Sequence, residues 1–269
     1  MKLSLNLTLS AIFCIFISTQ LCANRILCLH GGGGSASSLE YQQGMQDLVA
    51  ALPDCEFIFA SSPVSGGVWY NDPPGGGKDP TYDPNWADVS VNYLNDFIEA
   101  NGPFDAILGY SQGVPMSLVY LATGNFNFDN VLLFNGYLPS THIGLINVID
   151  ANSPFTQSAL IFIAQNDYYF YDMGLELKSK FTSYTELIST SAGHALPISS
   201  DANFQSVVDF LTNIDSSSSD TGDNTDNLQS FRLNIYQGED LNNLQIIDTR
   251  IIESSAQNQF FKAELIPEY

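Results

Sequence analysis

The chain has 269 residues, 45% of them hydrophobic, which is enough for one sizeable domain with its own core and argues against disorder over most of its length. Its formal net charge is −21, with 29 acidic residues against 8 basic ones. A surface this acidic repels phosphate groups, so we expect neither nucleic acid nor an anionic membrane surface as a partner.

Residues 1–23 are predicted to be a signal peptide. Lys2 supplies the positive start, Leu9–Ile17 forms the apolar run, and Ala23 is a small residue at the cleavage position. The run is too short to span a bilayer as a mature helix, so we expect no stable membrane insertion. A signal anchor and a buried first helix are the alternatives. We therefore expect the mature protein to be secreted or to reside in the lumen of the secretory pathway.

The first strand is predicted at Arg25–His30, where the residues are mainly apolar. It runs into four glycines, Gly31–Gly34, whose missing side chains allow the backbone to approach a ligand closely. A capping box at Ser37–Glu40, with Ser37 as the cap, predicts a helix that ends at about Leu52.

The second strand is predicted at Glu56–Ala60 and is followed by a long loop, Ser61–Asn85. Trp69 and Tyr70 in this loop either line an acyl pocket or pack over the edge of the sheet, and the sequence favours neither. A helix is predicted from Trp86, with its apolar face formed by Val89, Tyr93, Leu94, Phe97 and Ile98.

Two cysteines follow the predicted signal peptide, one near the end of the first strand and one just before the second. If these strands are parallel neighbours, Cys28 and Cys55 lie at different heights in the sheet. The separation is then too large for disulfide geometry. We therefore predict no disulfide and expect both side chains to be partly buried.

A buried strand, a tight turn and a helix are predicted between Phe104 and Thr123. Ala106–Leu108 is a short apolar run, as in a parallel strand that is covered on both faces. Gly109–Gly113 then matches the pattern G-x-S-x-G, in which a serine lies on a strained strand-to-helix turn with its hydroxyl exposed. This context predicts that Ser111 is a nucleophile.

Alternating strands and helices continue to residue 214, which indicates a parallel sheet with helices on both faces. The segment Tyr137–Gln157 is predicted to be irregular. The remaining strands are predicted at Asn130–Asn135, Ala159–Ala164 and Thr185–Thr190, and the remaining helices at Tyr171–Phe181 and Asp201–Asn213.

The last part of the chain differs in composition from residues 24–214. Residues 215–227 are almost all Ser, Asp, Asn and Thr and are predicted to be a polar linker. Residues 228–269 are predicted to form a small β-type extension, with strand-like runs at Phe231–Tyr236, Leu244–Ile252 and Phe260–Ile266. One alternative is that this extension carries the function, as an acidic binding protein.

Serine is a poor nucleophile until a base takes its proton. His194 follows the last predicted strand of the parallel sheet, and Asp167 follows the strand before it. With Ser111 they stand in the chain order Ser, Asp, His, all at carboxyl ends of strands, where open parallel sheets place their sites. Asp172 is a competing acid, but it lies inside the following predicted helix.

Hydrolysis also needs donors for the negative oxygen of the tetrahedral intermediate. One is predicted to be the N–H of Gln112, directly after the nucleophile, and the other the N–H of Gly32 in the glycine run. His30 is expected to be structural, and His142 is expected to lie in a surface loop.

The segment Asn101–Gly113 reads N-G-P-F-D-A-I-L-G-Y-S-Q-G and resembles the N-G-P-F-D-G-I-L-G-F-S-Q-G of the eukaryotic FSH-type serine hydrolases, in the α/β-hydrolase superfamily. The similarity runs from about Arg25 to Leu211. It implies a carboxylester hydrolase, with some members acting as acyl-thioesterases, and it carries over Ser111, Asp167 and His194 as nucleophile, acid and base. Three shorter similar segments are Leu29–Gly31, Phe134–Pro139 and Gly193–Pro197.

The combined prediction is an α/β-hydrolase fold over residues 24–214, with about six mainly parallel strands. We expect it to hydrolyse small-molecule esters through an acyl intermediate on Ser111. No metal or organic cofactor is implied, and no oligomeric state is predicted. Two alternatives stay open: an acyl-thioesterase, and a catalytically silent α/β-hydrolase fold that serves as a binding protein.

Overall fold

The computed structural model describes residues 24–213, 229–237 and 245–254. The predicted signal peptide, the polar linker and the run Phe260–Ile266 lie outside these residues. Residues 24–213 form the larger unit. Gln229–Gln237 (β7) and Gln245–Ser254 (β8) belong to a second unit, in which they pair as an antiparallel hairpin.

Six parallel strands form one sheet in the larger unit, in the order β2-β1-β3-β4-β5-β6. The predicted parallel sheet is thereby confirmed. The order reverses direction between β1 and β3, and such a switch point is where open α/β sheets bind ligands. The strands are β1 Arg25–Leu29, β2 Glu56–Ala60, β3 Ala106–Tyr110, β4 Asn130–Phe134, β5 Phe155–Ala164 and β6 Phe181–Ser189.

Helices cover both faces of this sheet. The helices are α1 Ala36–Glu40, α2 Gln43–Ala51, α3 Asp88–Asn101, α4 Gly113–Thr123, α5 Ile143–Asn152, α6 Tyr171–Gly174 and α7 Phe204–Thr212. Short 3-10 turns occur at Gly76–Lys78 and Leu177–Lys180. Among the described residues, no helix is long and apolar enough to cross a membrane.

Successive side chains of β1 point into two separate cores, as the alternation of a strand requires. Leu27 and Leu29 pack with α3, α4 and α5, whereas Ile26 and Cys28 pack with α1, α2 and α7. Because both faces of the strand are covered, the residues after Arg25 read as a continuous apolar run. At about 25 cal/mol per Å² of buried apolar area, these two layers supply most of the driving force for folding.

Cys28 is fully buried and lies opposite Phe59 in the β1–β2 ladder. Cys55 precedes β2 and lies four residues before that register position, about 13 Å along a strand at 3.3 Å per residue. The two side chains are therefore at different heights, as predicted. Burial raises the pKa of the Cys28 thiol, so this thiol is protonated and unreactive at neutral pH.

The first predicted helix is two helices, and its cap is Ser35 rather than Ser37. Ser35 accepts a hydrogen bond from the Ser38 N–H, and the Ser38 hydroxyl accepts one from the Ser35 N–H. Serine can fill the third position of a capping box because it, too, offers an acceptor oxygen. The chain then turns at Tyr41 before α2 begins.

Other element boundaries also differ from the prediction. The segment expected to be irregular contains α5, whose Leu145 and Ile149 are buried four residues apart against the layer of α4. The helix expected at Tyr171–Phe181 is one turn of α6 and a 3-10 turn, because Phe181 already belongs to β6. On α3, Val89 is 63% exposed and Val91 is buried instead.

Candidate active site

Ser111 lies on the sharp turn between β3 and α4 with a positive backbone φ of 52°. This conformation is strained for a residue with a side chain, and it lifts the hydroxyl above the edge of the sheet. The motif glycines permit the turn. A Cβ on Gly113 would lie 2.3 Å from the Leu29 carbonyl oxygen, and a Cβ on Gly109 would lie 2.5 Å from that of Gly113.

The structure brings the three predicted residues together at the carboxyl edge of the sheet. His194 Nε2 lies 2.9 Å from the Ser111 hydroxyl oxygen, and His194 Nδ1 lies 2.6 Å from Asp167 Oδ2. An ionised carboxylate can only accept, so Nδ1 carries the proton and Nε2 is the acceptor that faces Ser111. Asp167 is buried, whereas the competing Asp172 is exposed on α6.

An aromatic stack holds the ring of His194. Phe170 stacks on the imidazole with centroids 4.7 Å apart, and Tyr137 stacks on the other side of Phe170 at 5.2 Å. Tyr110 lies 5.4 Å from the same imidazole, and its hydroxyl donates to the His194 carbonyl oxygen over 2.6 Å. Burial raises the pKa of Tyr110, so its hydroxyl keeps the proton that it donates.

The glycine run after β1 lies beside the Ser111 turn. A Cβ on Gly31 would be 3.0 Å from the Ser111 Cβ, and one on Gly32 would be 3.3 Å from Gln112 Oε1. The run is a turn closed by the Gly34 N–H on the Gly31 carbonyl, 3.1 Å, with Gly33 at φ 74°. Such a φ at the third turn position strongly favours glycine. The two predicted oxyanion donors, Gly32 and Gln112, are thus neighbours in space.

The side chain of Gln112 fixes the long loop against the Ser111 turn. Its Oε1 accepts from the Trp69 N–H at 2.9 Å, and its Nε2 donates to the Tyr70 carbonyl at 3.0 Å. The Trp69 indole N–H donates to the His30 carbonyl at 2.8 Å, which ties the same loop to the start of the glycine run. The side chain of Gln112 therefore has a structural role, separate from the one predicted for its backbone N–H.

His30 is buried and has no contact with the Ser111–His194 pair among its hydrogen bonds within residues 24–213. Its Nε2 accepts from the Ser62 N–H at 2.9 Å, so its Nδ1 carries the proton and donates to the Gly31 carbonyl at 2.7 Å. Burial lowers the pKa of His30, which keeps this ring neutral. The ring thus supports the loop that carries Gly31.

The prediction that His142 lies in a surface loop is wrong. The ring is 1% exposed at the start of α5, where Nε2 donates to the Asn71 carbonyl at 3.0 Å and Nδ1 accepts from the Thr141 hydroxyl at 3.0 Å. It also makes edge contacts with Tyr70 and Trp86. The sequence around it carries turn residues but gives no sign of these distant partners.

Trp69 and Tyr70 pack in the core, and they also line a pocket. Trp69 is 0% exposed and Tyr70 is 3% exposed. The pocket has a volume of about 420 Å³ and opens between the long loop and the start of α3. Its other lining residues are Val64, Asn71, Asp83, Asn85, Trp86 and Val89. The packing interpretation of the two aromatic residues is therefore confirmed, and the acyl pocket stays a prediction.

The profile of the serine hydrolase (FSH1) family matches residues 19–206, more than half of the chain. Esterase alnB of Emericella nidulans is 38% identical over 106 residues, which are 36% of this chain and 36% of that protein. The match thus spans about a third of that relative's length.

Two solved structures share the fold at low sequence identity. Acyl-protein thioesterase 2 of Zea mays has a TM-score of 0.55 at 18% identity, over 76% of this chain and 99% of that one. A carboxylesterase from Mesorhizobium loti has a TM-score of 0.54 at 14% identity, over 73% of this chain and 90% of that one. At these identities the likeness establishes the α/β-hydrolase fold.

Proposed function

This chain belongs to the serine hydrolase (FSH1) family, and we propose that it cleaves carboxylic esters through an acyl intermediate on Ser111. One observation carries the proposal: the Ser111 hydroxyl lies 2.9 Å from His194 Nε2, while Asp167 lies 2.6 Å from Nδ1 of the same ring. This is the arrangement in which a serine can be deprotonated as it attacks.

In the acylation step, His194 takes the Ser111 proton while the serine oxygen attacks the ester carbonyl. The carbonyl oxygen becomes negative and is stabilised by the N–H groups of Gly32 and Gln112. The C–O bond to the alcohol then breaks, and the alcohol leaves with the proton that His194 had taken. The acyl group stays on Ser111.

In the deacylation step, a water molecule gives a proton to His194 and attacks the acyl carbon. The bond to Ser111 breaks, the serine recovers its proton, and the carboxylic acid leaves. Asp167 stabilises the imidazolium that forms in each step, and it fixes the tautomer in which Nε2 faces the serine. The stack with Phe170 supports the ring in this orientation.

The charge around the site favours uncharged acyl and alcohol groups. Three of the four Lys and Arg residues in 24–213 form ion pairs with acidic residues. The fourth, Lys78, is exposed and is followed by Asp79. Burial, and after it the negative charge of Asp72, raise the pKa of Tyr137 to about 12. The charge of Asp72 therefore acts on Tyr137, whose ring stacks on Phe170, and Phe170 in turn stacks on His194.

We predict that an anionic ester is a poorer substrate than its neutral counterpart. Hydrolysis of 4-nitrophenyl butyrate should exceed that of the 4-nitrophenyl hemisuccinate by about tenfold in kcat/KM at low salt, because a like charge slows association. The difference should shrink at 1 M salt, where the screening length falls to about 3 Å. Asp72→Asn should reduce the difference between the two esters. Asp54→Asn should not, since the exposed Asp54 lies just before the amino end of β2, at the edge of the sheet opposite the candidate site. Equal rates at low salt would contradict the prediction.

The proposed function is tested by labelling the purified protein with a fluorophosphonate and by a panel of neutral esters of increasing acyl length. We expect one label per chain and turnover that depends on acyl length. Each ester is paired with the thioester of the same acyl group, so that a strong preference for the thioester would favour a thioesterase. Absence of both labelling and turnover would favour the catalytically silent binding protein.

A further inference from the structure

The carboxyl end of β4 contacts the chain segments that carry all three residues of the proposed active site. The Phe134 carbonyl accepts from the Ser111 N–H at 3.0 Å. The next residue, Asn135, accepts on Oδ1 from the Ala164 N–H at 2.7 Å. Its Nδ2 donates to the carbonyls of Gly193 and Ala195 at 3.1 and 2.6 Å, on either side of His194.

From this junction we propose that Asn135 is a positioning residue, which sets the distance from His194 to Ser111 and Asp167. The inference rests on the proposed function, because it concerns the geometry of the same site. Ala164 is the last residue of β5, and its carbonyl accepts from the Asp167 N–H at 3.0 Å. The acid is therefore hydrogen-bonded to the same residue whose N–H donates to Asn135. One side chain thus connects the segment of the acid to the segment of the base.

The hydrogen bonds of Asn135 require a primary amide in one orientation. Two donors face two carbonyl oxygens, and one acceptor faces an N–H, so a flipped amide would oppose like groups at all three contacts. The side chain is 1% exposed, so water cannot replace any of these partners. Aspartate has the same shape, but an oxygen would replace Nδ2 and would face the carbonyl oxygens of Gly193 and Ala195. Serine is too short to reach all three partners.

The backbone at Asn135 is fixed as well. Its φ is 45°, in the left-handed region that asparagine tolerates better than most residues with a side chain. Its N–H donates to the Phe162 carbonyl at 2.9 Å, which extends the β4–β5 pairing beyond the strand. A Cβ on the next residue, Gly136, would lie 2.2 Å from Val114 Cβ, so this turn packs directly on the helix that follows Ser111.

The other contacts of the His194 loop come from the same region. Asn166 Oδ1 accepts from the Gly193 N–H at 2.8 Å, and Tyr110 donates to the His194 carbonyl. These two contacts restrain the loop from β5 and β3, but Asn135 alone holds it on both sides of His194 among residues 24–213. Losing Asn135 should therefore let His194 shift while the loop stays in place overall.

Asn135→Gly tests the proposal, because glycine accepts a φ of 45° without strain and removes only the side-chain contacts. We expect kcat for a neutral ester to fall on the order of 10²-fold, the cost of a misplacement of about 1 Å, with little change in KM. The rate of fluorophosphonate labelling should fall by a similar factor. Turnover is expressed per labelled site, so a partly unfolded sample does not imitate the effect.

Asn130→Gly is the matched control, since Asn130 is also buried and begins the same strand at the opposite edge of the sheet. It should lower the stability of the protein and leave turnover per labelled site unchanged. If Asn135→Gly does not fold, the isosteric Asn135→Asp serves in its place, with an equal or greater loss expected. Wild-type turnover in a folded Asn135 variant overturns the proposal.

A readout that does not depend on activity separates this proposal from the function itself. In wild-type protein, the proton between His194 Nδ1 and Asp167 should give a low-field NMR resonance. Asn135→Gly should broaden or shift that resonance, and Asn130→Gly should not. An inactive wild-type protein would refute the proposed function and leave the NMR comparison to decide on Asn135, where an unchanged resonance overturns its positioning role.

Discussion

Ser111→Ala is expected to abolish fluorophosphonate labelling and to lower kcat for a neutral ester by on the order of 10⁶-fold. The reason is that alanine leaves no oxygen at the point which His194 Nε2 faces over 2.9 Å, so no acyl intermediate forms. The residual rate would come from binding and from the N–H groups of Gly32 and Gln112. Labelling is followed by mass spectrometry of the intact protein, and turnover by release of 4-nitrophenol.

Ser117→Ala is the control for Ser111→Ala, because Ser117 is a buried serine of α4, the helix that follows Ser111. Its hydroxyl donates to the Gly113 carbonyl at 2.8 Å, so its loss should cost about 1 kcal/mol of stability. It should retain labelling at the wild-type stoichiometry. A label that persists in Ser111→Ala, or a labelled peptide that contains another serine, would refute Ser111 as the nucleophile.

Asp167→Asn is expected to lower kcat by on the order of 10⁴-fold while KM changes little. The buried carboxylate lies 2.6 Å from His194 Nδ1, where it accepts the ring proton. An amide can present its NH₂ group to the ring instead, and His194 would then carry its proton on Nε2 and could not accept one from Ser111. The measurement is the initial rate with a neutral ester, together with active-site titration.

Asp172→Asn is the matched control for the acid, because Asp172 is five residues further on and exposed on α6. We expect its turnover to stay within about twofold of wild type, as is usual for a surface substitution. Both variants should give the circular dichroism spectrum of the folded protein. If Asp172→Asn lost more activity than Asp167→Asn, the assignment of the acid would be reversed.

The central strands of the sheet could be predicted from the sequence because they are buried on both faces. Continuous apolar runs such as Leu27–Leu29 and Ile107–Leu108 are visible without any tertiary information. The candidate site could be predicted for a related reason. Ser111, Asp167 and His194 lie one, three and five residues after the ends of β3, β5 and β6, and parallel strands bring their carboxyl ends to one edge.

The supports of the site could not be predicted, because their partners are distant in the sequence. Asn135 looks like an ordinary turn residue before Gly136, yet its side-chain amide forms hydrogen bonds with residues 29 to 60 positions away. Phe170 reads as one more aromatic residue in a run, and only the fold places it on the imidazole. His142 was expected at the surface for the same reason, since nothing near it indicates a contact with Asn71.

The positions at which helices begin and end could not be predicted from the sequence pattern either. At the start of α1, a serine accepts the hydrogen bond that glutamate usually accepts in a capping box. In α5, most of the apolar residues are β-branched, and such residues favour strands when tertiary contacts are absent. In both cases the contacts with the sheet decide the structure over local preference.

The contact between Trp69 and His30 has a consequence for spectroscopy. Trp69 and Trp86 are the two tryptophans of the chain, and both belong to the segment that Gln112 fixes beside Ser111. The tryptophan fluorescence of residues 24–213 therefore originates within one segment next to the candidate site. The buried indole N–H of Trp69 donates to the His30 carbonyl, directly before the glycine run. The emission spectrum is therefore a label-free optical signal of the position of that loop.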